Sequence, residues 1–358
     1  MNIFKRIIVN CWLALGQVIG LIFIDSDKNG KFYCIKYYGV YSFVISVLLI
    51  IIHPIAYYKC ARIVNVIDGL DHSIPVIVTS LRDSIDYIFM IAAFIFQRFN
   101  RMNLMNLLNE ISEFVRDNER KFSSAFSLWT EKIKYENIFC VGIVLTFMKA
   151  SISSLLCALI INKDEVNWIH FLFLILPKAA MFVVVNEYFY GVLLLRFHIS
   201  MYTKLISEAQ KKLELQTDEK LTKLKNDLDT CDLLDEMSLF HSKLFKIYKN
   251  FSGMYQFQML LFIFSNFFGI MLDMFYVFNV IFYAYLNLYS PNASYLKFAA
   301  TFSFLIRCFT VYFHLAFSCS TTGTDAKNQK LVPSMNSYRS DRRLKHSVII
   351  LKLKLIDF

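Results

Sequence analysis

An all-α, polytopic transmembrane helical bundle is the fold that this sequence predicts, and three observations carry the expectation. Of the 358 residues, 56% are hydrophobic and only 18% charged, against about 25% charged in ordinary soluble domains. The apolar residues gather into six runs, each able to cross roughly 30 Å of hydrocarbon as a helix. A helix is the element that satisfies its own backbone hydrogen bonds inside lipid. The basic residues gather between those runs, almost all of them in alternate loops.

In chain order the expected spans are Tyr37–Tyr58, Ser73–Phe96, Ile138–Asn162, Trp168–Phe197, Phe257–Tyr285 and Tyr295–Cys319. Pro54 and Pro177 fall inside spans and should kink them, which neighbouring helices accommodate. The fourth span is unusually long and is expected to project into the cytoplasm. The organisation read from these runs has five parts. Residues 1–36 form a cytoplasmic N-terminal segment with an interfacial helix, and residues 37–197 the first four spans, a ligand-binding bundle. Residues 198–256 form a cytoplasmic helical loop, 257–319 the fifth and sixth spans, and 320–358 a cytoplasmic tail.

Orientation follows from charge. Of the 38 lysines and arginines, 29 lie in the N-terminal segment, the second and fourth loops and the tail, and only Lys59, Arg62 and Lys163 lie on the opposite face. Basic loops resist translocation, so the rich face is cytoplasmic. The net charge of +10 then belongs to a face turned to an anionic leaflet and not to nucleic acid. The acceptor pattern Asn292-Ala293-Ser294 falls outside, where N-glycosylation occurs, while Asn250-Phe251-Ser252 falls inside and should stay bare. The eight cysteines show no CxxC and no metal-ligand spacing. Cys60 and Cys157 lie toward the outer face, where a disulfide between them is an option. The sequence holds no Walker loop, HExxH, GxSxG or kinase pattern, so neither catalysis, cofactor nor metal is expected.

Ionisable residues inside spans are costly and usually face the interior of a bundle. They include Arg82, Asp83, Asp86, Lys149, Lys178, Glu187, Asp273 and Arg307. Arg82 and Asp86, four apart on one helical face, can pair. The candidate ligand-contact residues are Arg82, Asp86, Lys149, Ser153, Lys178, Asp273 and Tyr276, in a concave site between helices. A pocket of aromatic faces with a few polar groups suits small amphipathic molecules, alkaloids included through cation–π contact. In the fourth loop, Leu221, Leu224 and Leu228, then Leu233, Met237 and Phe240, follow helical spacing. Its mixed charges suit a solvated helix.

Ile7–Ile24 follows Lys5 and Arg6 and reads as an interfacial helix or a further span; Asn10, Gln17 and the lack of a small-x-small cleavage site argue against a signal peptide. As a span it would create the layout of a G-protein-coupled receptor. The residues speak against that class. An Asp/Glu-Arg-Tyr triplet is replaced by Gln97-Arg98-Phe99, an Asn-Pro-x-x-Tyr turn by Thr310-Val311-Tyr312-Phe313-His314, and the loop before Trp168 lacks a cysteine. A small-solute transporter would show inverted repeats or paired broken helices, and neither is evident.

Three stretches resemble the insect gustatory receptors. "LGQVIGLIFIDSDKNGK" (Leu15–Lys31) is similar to the run that precedes their first span. "NEYFYGVLLLRFHISMYTKLISEAQ" (Asn186–Gln210) resembles their aromatic helix continuing into a charged cytoplasmic one. "SYRSDRRLKHSVIILKLKL" (Ser337–Leu355) resembles the stretch before their final helix. The resemblance implies a ligand-gated cation channel for small-molecule tastants, in the plasma membrane of sensory neurons, with an intracellular N-terminus. It also implies a homo- or hetero-tetramer whose cytoplasmic helices pack where subunits meet, and places Ile7–Ile24 at the inner interface. Members of that family carry a seventh, pore-lining helix with a Thr-Tyr-x-x-x-x-x-Gln-Phe signature. No such pattern follows Cys319 in these residues, so the expectation is a subunit lacking that helix and not conducting alone.

Asn292→Gln is expected to abolish the mobility shift that glycosidase treatment produces in the expressed protein. A shift that survives Asn292→Gln and disappears on changing Asn250 would reverse the orientation.

Overall fold

The computed structural model describes residues 3–22, 24–26, 31–34, 36–68, 73–122, 128–160, 168–214, 220–285 and 301–316. Its elements are α1 (Ile3–Ile19), β1 (Ile24–Ser26), β2 (Phe32–Cys34), α2 (Lys36–Asp68), α3 (Ser73–Phe99), α4 (Arg101–Phe122), α5 (Leu128–Ile160), α6 (Trp168–Glu214) and α7 (Lys220–Tyr285). A further helix, α8, covers Thr301–Ala316. The architecture is an all-α polytopic membrane bundle with one two-stranded hairpin.

Among the described residues four helices are long and apolar enough to cross a membrane, over Tyr37–Tyr58, Ile133–Ile152, Ile175–Lys204 and Leu234–Phe275. The first has the bounds expected from the sequence. The expected second span lies in α3, where Arg82, Asp83 and Asp86 interrupt the apolar run, and the expected sixth overlaps the shorter α8. The α2 helix turns Val40, Val44, Val47, Ile51 and Ile55 outward, a face that requires lipid rather than water around it. The window in α6 is 72% buried, against 22% in α2, which makes α6 the enclosed helix.

The expected loop over residues 198–256 has no break from the spans that flank it. The α6 helix runs on to Glu214, and α7 is continuous over 66 residues, roughly 100 Å at the helical rise. The apolar pattern passes from the loop into the span without a Gly-Pro interruption, so nothing stops the helix.

The chain divides into two compact units. The first comprises residues Met1–Ser127, Glu136–Phe189 and Tyr255–His314. In it α1 begins and ends earlier than the expected Ile7–Ile24 segment. Gly20 takes a left-handed φ of 81°, which glycine adopts without steric cost, and its N–H donates to Gln17 O at 3.0 Å. The Leu21 and Ile22 N–H groups both donate to Gly16 O, at 2.9 and 3.0 Å, completing the cap. Ser42 Oγ then donates to Gly20 O at 2.5 Å, and Tyr41 to Val18 O at 2.6 Å, fastening the end of α1 to the start of α2. Trp12, Gly16 and Ile19 share a buried face; the Trp12 indole donates to Val183 O at 3.3 Å and meets Phe139 edge-on.

The hairpin pairs Ile24 with Cys34 and Ser26 with Phe32. Its outer strand is completed by a side chain: Phe32 N–H donates to Asn109 Oδ1 at 2.7 Å, and Asn109 Nδ2 returns a bond to Phe32 O at 3.1 Å. The carboxamide thereby stands in for a third strand. It comes from α4, which the sequence reading treated as loop. Leu104, Leu107, Ile111 and Phe114 are buried on that helix, at the alternating three- and four-residue spacing of an amphipathic helix.

In the second unit (Leu128–Tyr135, Tyr190–Met254, Leu315–Phe358), α7 buries Leu234, Phe240, Leu244, Ile247 and Phe251. Tyr202 of α6 stacks on Phe240, with ring centroids 5.8 Å apart. Phe240 is the one member of the leucine-type stripe whose side chain is described; Leu221, Leu224, Leu228, Leu233 and Met237 lie outside the described side chains, as do Cys60 and Cys157. Asn292 and the tail lie outside the described residues.

Leu107→Ala should lower thermal stability in detergent by about 2–5 kcal/mol, as cavity-forming substitutions do. Glu113→Ala, on the exposed face of the same helix, should stay within about 0.5 kcal/mol. Equal effects in a thermal melt would mean that α4 does not pack by this face.

Candidate functional site

The charged residues of the spans meet in the first unit. Arg82 and Asp86 stand one turn apart on α3, and Thr146 and Lys149 lie on α5. Along α6, Lys178, Phe182 and Val185 repeat at helical spacing, while Phe262 and Ser265 come from α7 and Arg307 from α8. Together with Ala150 and Met181 they line a cavity of about 40 Å³. One water needs roughly 10–15 Å³ by this measure, so the cavity has room for a few waters or a very small ligand.

Most of the charges around it are matched. Arg307 Nε donates to Asp273 Oδ2 at 2.7 Å, with side-chain exposures of only 6% and 8%. Arg82 grips its neighbour Asp83 through Nε and Nη2 at 3.0 and 2.8 Å. Asp86 accepts the Ser265 hydroxyl. Lys149 donates to Asn266 Oδ1 and lies 5.1 Å from the centre of the Phe262 ring, and Asn266 is held in turn by Phe262 O at 2.6 Å. Space for the Arg307 guanidinium exists because residue 269 is glycine; a Cβ there would collide with Nη1.

A second polar pair sits beneath. Asn186 Nδ2 donates to Thr146 Oγ1 at 2.8 Å, and Asn186 Oδ1 is buried with no hydrogen-bond partner. Further along α6, Glu187 accepts from Gln97 Nε2 at 3.0 Å. These contacts tie α6 to α5 through Asn186 and to α3 through Glu187.

Of the candidate residues from the sequence, Arg82, Asp86, Lys149 and Lys178 line the cavity. Asp273 does not line it but holds Arg307, which does. The side chains of Ser153 and Tyr276 lie outside the described ones. Sequence reasoning missed Thr146, Ser265 and Asn266 as members of the site. The signal for Ser265 and Asn266 was there in the Ser-Asn pair inside "LLFIFSNFFGI": polar residues in an apolar span need partners. Among the described residues no group of three or more His, Cys, Asp or Glu could hold a metal ion.

A family model for the 7tm chemosensory receptors matches residues 9–356 of the chain. No curated protein matches it.

Removing one member of a buried ion pair strands the other charge, at a cost of about 3–5 kcal/mol. Arg307→Met and Asp273→Asn should therefore each destabilise the protein strongly in a detergent melt. The double variant should recover most of the loss, because it leaves no stranded charge. Losses that simply add would show the pair to be uncoupled.

Proposed function

The chain belongs to the 7tm chemosensory receptor family, and from that premise we propose that it is a gustatory receptor subunit of the ligand-gated cation channel type. Members of this family are membrane receptors and not enzymes. The observation that carries the finer reading is the convergence of charged and polar side chains from five helices on one cavity. Structural ion pairs alone would not need a void between them.

The ligand is a small tastant that enters this cavity and widens it. At about 40 Å³ the closed form lies far below the roughly 300–1,000 Å³ of drug-sized pockets. Ligand binding therefore has to select an opened state, and the energy difference between the two states is what gating would use. Four cationic side chains line the cavity against the single carboxylate of Asp86. Asp83 and Asp273 offset two of them. This excess favours ligands with carbonyl, hydroxyl or carboxylate acceptors over cationic alkaloids, and the Phe262 face is already turned to Lys149.

The same reading takes the chain as six spans with the N-terminus cytoplasmic, in the plasma membrane of sensory neurons. The long extensions of α6 and α7 are its contact to other subunits of a homo- or hetero-tetramer. The stacked Tyr202–Phe240 pair supports a rigid helical pair suited to that task.

Cells expressing the receptor with its subunit partners should give tastant-evoked currents that persist when G-protein signalling is blocked. Lys149→Met should raise the half-maximal concentration about tenfold or more, the factor for one lost charge-assisted hydrogen bond. Lys243→Met, an exposed lysine outside the site, should leave it unchanged. Currents abolished by the block would identify a metabotropic receptor; an unchanged response in Lys149→Met would move the ligand elsewhere.

A further inference from the structure

A second cavity of about 300 Å³ opens where α3 turns into α4, beside the start of α2. The turn is tight. Asn100 N–H donates to Phe96 O and Leu104 N–H to Asn100 O, both at 2.8 Å, so Arg98 and Arg101 come from two helices separated by one residue. Both guanidinium groups reach Gly39 of α2. Arg98 Nη1 donates to the Gly39 carbonyl at 3.2 Å, and a Cβ at residue 39 would come within 2.6 Å of Arg101 Nη1. Ser42 and Gln97 add a hydroxyl and a carboxamide to the lining, and among the described residues no acidic side chain lines it.

What surrounds this basic cleft is apolar and outward-facing. Phe99 is 80% exposed and Tyr37 88%, and the Arg98 guanidinium lies 4.7 Å over the Phe43 ring. From there the exposed apolar face of α2 continues through Val40, Val44 and Val47. The cleft stands at the Tyr37 end of the span Tyr37–Tyr58, the depth at which lipid headgroups lie. A charged cleft at headgroup depth, with an apolar track leading into the hydrocarbon, is complementary to one class of molecule along its whole length.

We propose that this cleft is a binding site for an anionic phospholipid, its phosphate held by Arg98 and Arg101 and its acyl chain laid along α2. Guanidinium groups bind phosphate oxygens through paired, charge-assisted hydrogen bonds. Anionic lipids are concentrated in the cytoplasmic leaflet, the face on which the basic loops are expected. The site lies on the helix turn that precedes α4, so its occupancy would brace α3 against α2.

The test uses the full chain purified in detergent, supplied with phosphatidylserine, phosphatidylcholine or inorganic phosphate. Phosphatidylserine should raise the melting temperature by about 2 °C or more above phosphatidylcholine, as a ligand selective for the folded state does. Inorganic phosphate at equal concentration should leave it unmoved. The variant R98Q/R101Q should lose the increment, and R116Q, an exposed arginine of α4 outside the cleft, should keep it. An increment retained by R98Q/R101Q, or reproduced by inorganic phosphate or phosphatidylcholine, overturns the proposal. Should R98Q/R101Q fail to fold, native mass spectrometry of the unmodified chain in an equimolar lipid mixture reads the same claim. Bound phosphatidylserine should exceed phosphatidylcholine about fivefold, the factor for one basic residue at a membrane surface, and equal binding overturns it.

Discussion

A charge inside hydrocarbon must find a partner, and the first unit of this protein is arranged around that requirement. Arg82, Lys149, Lys178 and Arg307 come from four helices, and an unpaired cation at the bilayer centre costs several kcal/mol. Each helix is therefore rotated until its charge points inward. The Arg307–Asp273 pair shows the constraint most directly. It links α8 to α7 with both side chains almost fully buried, and α7 carries a glycine where the guanidinium passes. The cavity lies among these inward-facing side chains.

The constraint also explains the division between enclosed and lipid-facing helices. The α6 helix supplies Phe182 and Val185 to the cavity wall and buries Val183, Val184 and Asn186 besides. It has no face to give to lipid over much of its length. The α2 helix has no Asp, Glu, Lys or Arg between Tyr37 and Tyr58; it buries Leu49, His53 and Ala56 and leaves most of its other apolar side chains outside. Its start is fastened where Ser42 and Tyr41 reach the carbonyls of α1, and its middle is held by α3, where Tyr87 donates to Ile50 O at 2.7 Å and stacks on His53.

Backbone groups freed at helix ends follow the same accounting. Gly20 closes α1 with a left-handed turn, and Asn109 satisfies the open edge of a hairpin too short to stand alone. Neither solution depends on hydrophobic pattern. The Gly20 stop could be suspected from a glycine after an apolar helix, but the Asn109 bond joins residues 77 apart in sequence.

Taken alone, the sequence determined the class of the fold, the position of the Tyr37–Tyr58 span and which residues had to be accounted for inside the membrane. Those conclusions rest on local composition: twenty apolar residues in a row admit few environments, and a lysine among them stands out. It also held the signal for α4 in Leu104, Leu107, Ile111 and Phe114, overlooked because the basic residues around them drew the segment into a loop. Only the tertiary structure decided which charge meets which. Arg82 donates to its neighbour Asp83, and Asp86 receives Ser265 from a helix far along the chain. Helical spacing constrains partners within one helix. The depth and rotation of separate helices, and hence the cavity between them, are set by packing that no local pattern encodes.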